Sequence, residues 1–130
     1  MWQEAVASAS GIDRPGADDI RRAPWVRRQP PVDRDVSSPL LAGLDAGEAE
    51  AIALANAVRP RVPIILDDLS ARGAAERMGL AVTGSAGVLV QAKSLGLIER
   101  VGPILAELRT AGLYLSEAAA TKALENANEH

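Results

Sequence analysis

Cysteine is absent and histidine occurs once, at the terminal His130. Disulfides, thiolate metal sites, cysteine nucleophiles and histidine-based triads are therefore excluded together. Phenylalanine is absent too, so the core has to be built from Leu, Ile, Val and Ala, which requires close helix packing. No run reaches the about 20 apolar residues of a membrane-spanning helix, and no basic start followed by an apolar stretch marks a signal peptide. The expectation is a soluble, cytoplasmic protein with no membrane partner. Nor is there a basic excess: 14 Lys and Arg stand against 17 Asp and Glu, a net charge of -3. Any RNA contact has to come from local basic patches.

What is present is 130 residues, the size of a single domain. Trp2, Ala5, Val6 and Ala9 share one face at helical spacing, so residues 1–10 read as a helix broken by Gly11. A short helix follows over residues 16–22 and stops before Pro24, and Trp25 to Arg28 reads as a short strand. The prolines, aspartates and serines between Gln29 and Pro39 make a loop. Asp45 then opens a mostly buried helix to about Ala57, with Glu48 three positions on as in a capping box.

The continuous apolar run from Val62 to Leu66 reads as a strand covered on both faces, with Asp67 and Asp68 at its carboxyl end. A helix over residues 70–78 closes at Gly79, and Leu80 to Gly84 reads as a second strand. Further helices run from Ala86 to Leu95, closed by Gly96, and from Glu99 to Ala111, closed by Gly112. Ser116 caps the last helix, and Glu125 to His130 reads as a frayed end. Strands alternating with helices argue for a three-layer α/β domain with a mainly parallel sheet.

In such a sheet, ligands bind outside the carboxyl ends of the strands, where Asp67 and Asp68 fall. Neighbouring side chains point in opposite directions, so one of the two is expected to face the crevice while the other caps the next helix. Spacing alone also allows both to be turn and cap residues. Glu48 carries the same ambiguity between helix cap and site residue, and Glu50 points to another face, toward solvent.

The stretches Leu44-Asp45-Ala46-Gly47-Glu48-Ala49-Glu50-Ala51-Ile52, Ile64-Ile65-Leu66-Asp67-Asp68-Leu69-Ser70-Ala71-Arg72, Ala75-Glu76-Arg77-Met78-Gly79-Leu80, Val82-Thr83-Gly84-Ser85-Ala86-Gly87 and Ala92-Lys93-Ser94-Leu95-Gly96-Leu97-Ile98 resemble, in this order, the DUF3368 group of PIN domain proteins. The resemblance is densest from Leu44 to about Ser116. It implies a PIN-like fold and a metal-dependent ribonuclease similar to the toxins of toxin-antitoxin pairs, with acidic residues holding Mg2+ or Mn2+ at the sheet's carboxyl edge. Glu4 resembles the glutamate on the helix after the second strand, Glu48 the second acidic position, and Asp68, with Asp67 as the alternative, the last one. Thr83 and Ser85 match polar positions beside the site. The resemblance also implies RNA as substrate and an antitoxin protein as a partner.

The chain departs from the family pattern at its start, where a first strand ending in a metal-anchoring Asp is expected and nothing before Glu4 supplies it. The expectation is therefore a PIN-like domain over 1–130 with its first strand or strands missing, impaired in cleavage and prone to self-association through an unpaired edge. A catalytically dead remnant or an interaction module is the rival reading. Crowded carboxylates need a hard cation between them, and that cation activates water on a phosphodiester. Glu48 and Asp68 are accordingly expected to approach each other. For RNA contact the candidates are Arg21, Arg22, Arg27, Arg28, Arg59, Arg61 and Arg72. Arg72, one helical turn past Asp68, is the best placed. Lys93 is expected at the surface, and Trp2 and Trp25 in the core, with base stacking as their other use.

Overall fold

The structure is a computed structural model that describes residues 16–29 and 39–129. The expected helix over residues 1–10, with Glu4 and Trp2 on it, lies outside the described residues. The elements in order are α1 (Ala17–Arg22), a 3-10 turn at Pro39–Leu41, α2 (Ala46–Ala57), β1 (Ile64–Ile65), α3 (Leu69–Arg77), β2 (Val82–Thr83), α4 (Ser85–Ser94), α5 (Val101–Thr110) and α6 (Glu117–Asn126). The fold is a helix-dominated α/β arrangement with a two-stranded sheet. The Ile64 N–H donates to Ala81 O at 2.9 Å and the Leu66 N–H to Thr83 O at 2.8 Å. Both partners advance by two in the same direction, so the strands are parallel and α3 is their crossover.

Three expectations are corrected. Trp25 to Arg28 forms no strand, since Pro24 and Trp25 lie in a turn and residues 26–29 are irregular. Trp25 is 81% exposed instead of packed in the core. The strand at Ile64–Ile65 is not covered on both faces either. Ile64 and Leu66 are buried while Ile65 between them is 57% exposed, the alternation of a half-buried strand. An unbroken apolar run concealed that period of two.

The chain divides into two compact units, residues 1–64 with 73–81, and residues 65–72 with 82–130. In the first, Asp45 caps α2 by accepting the Glu48 N–H at 2.8 Å, and Ala49, Ile52, Ala53 and Ala55 are buried along the helix. Arg59 Nη1 donates to the carbonyls of Asn56 and Val58 at 2.7 and 2.8 Å, and Arg61 Nη1 to Gly79 O at 3.1 Å. Arg59 thus serves the last carbonyls of α2, where the helix dipole favours positive charge, and Arg61 the left-handed glycine that follows α3.

In the second unit α4, α5 and α6 enclose a core of Val101, Leu105, Ala120, Ala123 and Ala127, flanked by Ala86, Leu89, Val90, Ile98 and Leu115. Alanine on α6 lets the helix backbones come close, which is how a chain without phenylalanine reaches core density. Helix α4 ends as expected at Gly96, whose φ of 75° no β-carbon favours. The Leu97 N–H there returns to Ala92 O at 2.9 Å, the bond of a Schellman ending.

The expectation of a frayed end at Glu125 to His130 is overturned as far as Glu129. Asn128 takes the left-handed conformation at φ 58° and the Glu129 N–H returns to Leu124 O at 2.7 Å. Asparagine tolerates that region when glycine is missing. The turn delivers the Glu129 side chain to the start of α5, where Oε2 accepts from Val101 N at 2.7 Å and Oε1 from Gly102 N at 3.1 Å. Arg100, at the N-cap position, supplies no side-chain cap of its own. Lys93 joins from α4, donating to Glu129 Oε2 at 3.1 Å and Ala127 O at 2.7 Å. These donors, the Val101 and Gly102 N–H groups first, hold the Glu129 carboxyl down from an ordinary 4.5 to about 2. Among the described residues no helix is long and apolar enough to cross a membrane.

Candidate functional site

After β1 the chain turns through Leu66, Asp67 and Asp68 into α3, and the two aspartates diverge. Asp68 Oδ2 accepts the Ala71 N–H at 3.0 Å and so caps α3. Asp67 reaches a residue 18 positions on, Oδ1 accepting the Ser85 N–H at 2.8 Å and Oδ2 the Ser85 hydroxyl at 2.6 Å. Gly84, the N-cap position of α4, has no side chain to offer, so Asp67 performs that office from outside. Its carboxylate also borders a cavity.

Gly84 explains how the charges come close. It is buried, and a β-carbon built on it would stand 2.9 Å from both Asp67 Oδ1 and Arg72 Nη1, and 3.6 Å from Leu66 O. Real β-carbons do not tolerate the first two distances. The missing side chain therefore admits a carboxylate and a guanidinium to one point at the carboxyl ends of the strands.

The cavity there measures about 570 Å³ and lies entirely within the second unit. That is within the range of about 300–1,000 Å³ in which small-molecule sites fall. Asp67, Arg72 and Thr83 border one part, and Tyr114, Lys122 and Asn126 another. Asp67 is engaged by Ser85, but the side chains of Arg72 and Lys122 make no hydrogen bond or ion pair among the described residues. Asp67 lies near Arg72 without closing an ion pair with it, and two cations that stay unbridged among the described residues favour an anion in the cavity.

Of the residues singled out from sequence, Asp67, Arg72 and Thr83 line the cavity, and Ser85 is joined to it through Asp67. Asp68 is a helix cap. Glu48 lies half-buried in the first turn of α2, in the first unit. Glu4 lies outside the described residues. Among the described residues no three acidic or imidazole side chains gather as a metal site, and both oxygens of Asp67 already accept from Ser85. The described residues thus do not fit a divalent cation as they stand.

Arg21 pairs with Asp18 at 3.2 Å, Arg59 and Arg61 donate to carbonyls at or just past helix ends, and of the seven arginines singled out it is Arg72 that borders the cavity. Lys93, expected at the surface, is half-buried in the Glu129 cluster. Tyr114, Lys122 and Asn126 were not anticipated. A signal existed for two of them, since the cavity residues Ala119, Lys122, Ala123 and Asn126 follow the i, i+3, i+4, i+7 spacing of one helix face.

The chain matches the family model described as PIN domain, DUF3368, over residues 1–129. No curated protein and no solved structure matches it. PIN domains are generally nucleases and generally use divalent metals. A match that stops one residue short of the whole chain joins a parallel β-α-β unit with charge gathered at its carboxyl edge, and on these grounds the chain belongs to the PIN domain family.

Proposed function

We propose that this protein, read as one PIN domain over its length, is a ribonuclease of the PIN type that takes an RNA strand into the cavity at the carboxyl ends of β1 and β2. The observation that carries the reading is a pair of cations, Arg72 and Lys122, whose side chains have no partner among the described residues, on a cavity that also holds Asp67. Phosphate is the anion an RNA strand brings, and a guanidinium offers it a two-pronged donor. Thr83 and the Ser85 hydroxyl supply polar contacts beside it. Ser85 fixes Asp67 in place, so the carboxylate is oriented before any substrate arrives.

A divalent cation, Mg2+ or Mn2+, would supply water activation and charge stabilisation in such a site. Of the acids that the sequence offered as its ligands, Glu4, Glu48, Asp67 and Asp68, Asp67 borders the cavity. Each is tested by its amide variant.

The test is cleavage of a labelled single-stranded RNA by the full chain in Mg2+, in Mn2+ and in chelator, beside binding of the same RNA. The expected result is binding that weakens with salt and in Arg72→Gln, with metal-dependent cleavage lost in Asp67→Asn. Absence of RNA binding, or cleavage indifferent to both chelator and Asp67→Asn, overturns the reading. A second reading has its own support: Asp67 and Asp68 each satisfy a helix start, as they would in a domain that binds an antitoxin or another protomer without cleaving. RNA bound but never cut in either metal favours that reading.

A further inference from the structure

The part of the cavity away from Asp67 is built by other elements. Tyr114 stands in the connection between α5 and α6 and is 86% exposed, yet it borders the cavity. The connection is held on both sides of it. Leu113 N–H returns to Leu108 O at 2.9 Å, Leu115 packs on the helical core, and the Ser116 hydroxyl caps α6 by accepting the Ala119 N–H at 3.1 Å. An aromatic ring on a fixed backbone, with neither a core to fill nor a hydrogen bond for its phenol among the described residues, has a free π face.

The helix that borders this part offers small side chains and two polar ones. Ala119, Lys122, Ala123 and Asn126 fall on one face of α6, and α4 adds Gly87. Alanine and glycine leave room for a flat ring. Asn126 carries a donor and an acceptor on one planar group, and it has no hydrogen-bond partner for its side chain among the described residues. Glu125 stands three positions past Lys122 and Glu117 pairs with Arg109, yet Lys122 forms no ion pair among the described residues. A π face, an amide and a cation, all without partners among the described residues, stand around one cavity. That combination matches the three chemical parts of a nucleotide: base face, base edge and phosphate.

We propose that Tyr114, Asn126 and Lys122 form a nucleobase subsite for single-stranded RNA, in which the Tyr114 ring stacks on one base, the Asn126 amide meets its edge and Lys122 holds the adjoining phosphate. The proposal rests on the RNA reading above and adds to it where a base is held, which the Arg72 side of the cavity does not define. The subsite is a specificity device: stacking accepts every base, and the single amide discriminates among their edges.

Fluorescence anisotropy of the full chain with a short labelled single-stranded RNA tests it, beside a strand of the same backbone without bases. Tyr114→Leu keeps apolar bulk and removes the π face, so its affinity for the RNA falls roughly ten- to hundredfold while that for the base-free strand is unchanged. Tyr114→Phe binds like the parent. Lys122→Gln weakens both strands and lowers the salt dependence by about one phosphate contact. If the parent binds no RNA, the RNA reading falls and the subsite with it. If the parent binds and Tyr114→Leu binds equally well, the subsite alone is overturned. Equal weakening of both strands by Tyr114→Leu assigns the tyrosine a structural role and also overturns it.

Discussion

Lys93 and Lys122 both rise from helices of the second unit, and they differ in what they meet. Lys93 donates to the Ala127 carbonyl and to Glu129, which itself accepts from two helix N–H groups. Lys122 borders a cavity and meets no partner among the described residues. The same contrast separates Arg59 and Arg61, bound to carbonyls at or just past helix ends, from Arg72. Charge that is reciprocated within the chain closes helices and fixes architecture. Charge that is left open on a concave surface stabilises something that arrives from outside. The Glu129 cluster thus serves stability, whereas the proposed function gives the cavity to binding, and each assignment can be broken separately.

The largest effect on stability is expected at Glu129. Glu129→Ala removes the acceptor for Val101 N and Gly102 N and leaves Lys93 half-buried without its carboxylate, so the melting temperature falls further than in the other variants considered. RNA affinity does not change. The pH dependence is specific. The carboxyl is lowered from 4.5 to about 2, so between these values the unfolded chain binds more protons than the folded one and stability rises with pH. The stability that the Glu129 charge contributes is complete above about 4.5 and lost as pH falls through about 2. Urea melts at successive pH values should therefore show the gap between parent and Glu129→Gln widening across that window and level above it. A gap that does not vary with pH would remove the charge from the argument.

This cluster also marks where sequence stops being legible. The Asp45 and Ser116 caps and the glycine after α4 could be read because each acts within a few residues of its helix. The ending of α6 could not, because its left-handed residue is Asn128 and its carboxylate finds partners 27 to 36 positions away. The site divides in the same way. An aspartate pair after an apolar run located the carboxyl edge of the sheet, but which aspartate lines the cavity is decided by Ser85, 18 positions on. Sequence leaned on Asp68, whose oxygen caps α3. Lys122 and Asn126 share a face that spacing reveals, but what faces Tyr114 depends on how α4 and α6 meet.

The next effect in size belongs to Gly84→Ala, which bears on the helix start and on the cavity at once. Its backbone, at φ -106°, suits any residue, so the cost is one of space. The added methyl would stand 2.9 Å from Asp67 Oδ1 and Arg72 Nη1. Arg72 can swing its far end away, but Asp67 is held by Ser85 through two hydrogen bonds, so the carboxylate or the start of α4 must move. Overpacking of this kind costs about 1–3 kcal/mol. RNA affinity should fall together with stability, as measured by anisotropy and thermal melting. A variant that melts and binds like the parent would show that the close approach of the two charges has no role.

The smallest effect is expected at Asp68, and it is the one that most sharpens the division between architecture and binding. Asp68 accepts one helix N–H and is not among the residues bordering the cavity, so in the comparison it sides with Glu129. Asp68→Ala should cost about 1 kcal/mol, the ordinary price of a lost N-cap. Asp68→Asn should cost almost nothing, because asparagine caps as well as aspartate does. Neither should alter RNA affinity or any cleavage found in Mg2+ or Mn2+. Asp67→Asn behaves differently on this account: its amide oxygen still accepts the Ser85 N–H and its NH2 can donate to the Ser85 hydroxyl, so the start of α4 holds while the cavity loses its carboxylate. The decisive measurement is cleavage by Asp68→Asn at unchanged melting temperature. If cleavage disappears there while the fold is intact, Asp68 acts on the substrate or its cation as the family resemblance first suggested. Its bond to Ala71 N would then be a means of aiming the carboxylate rather than its purpose.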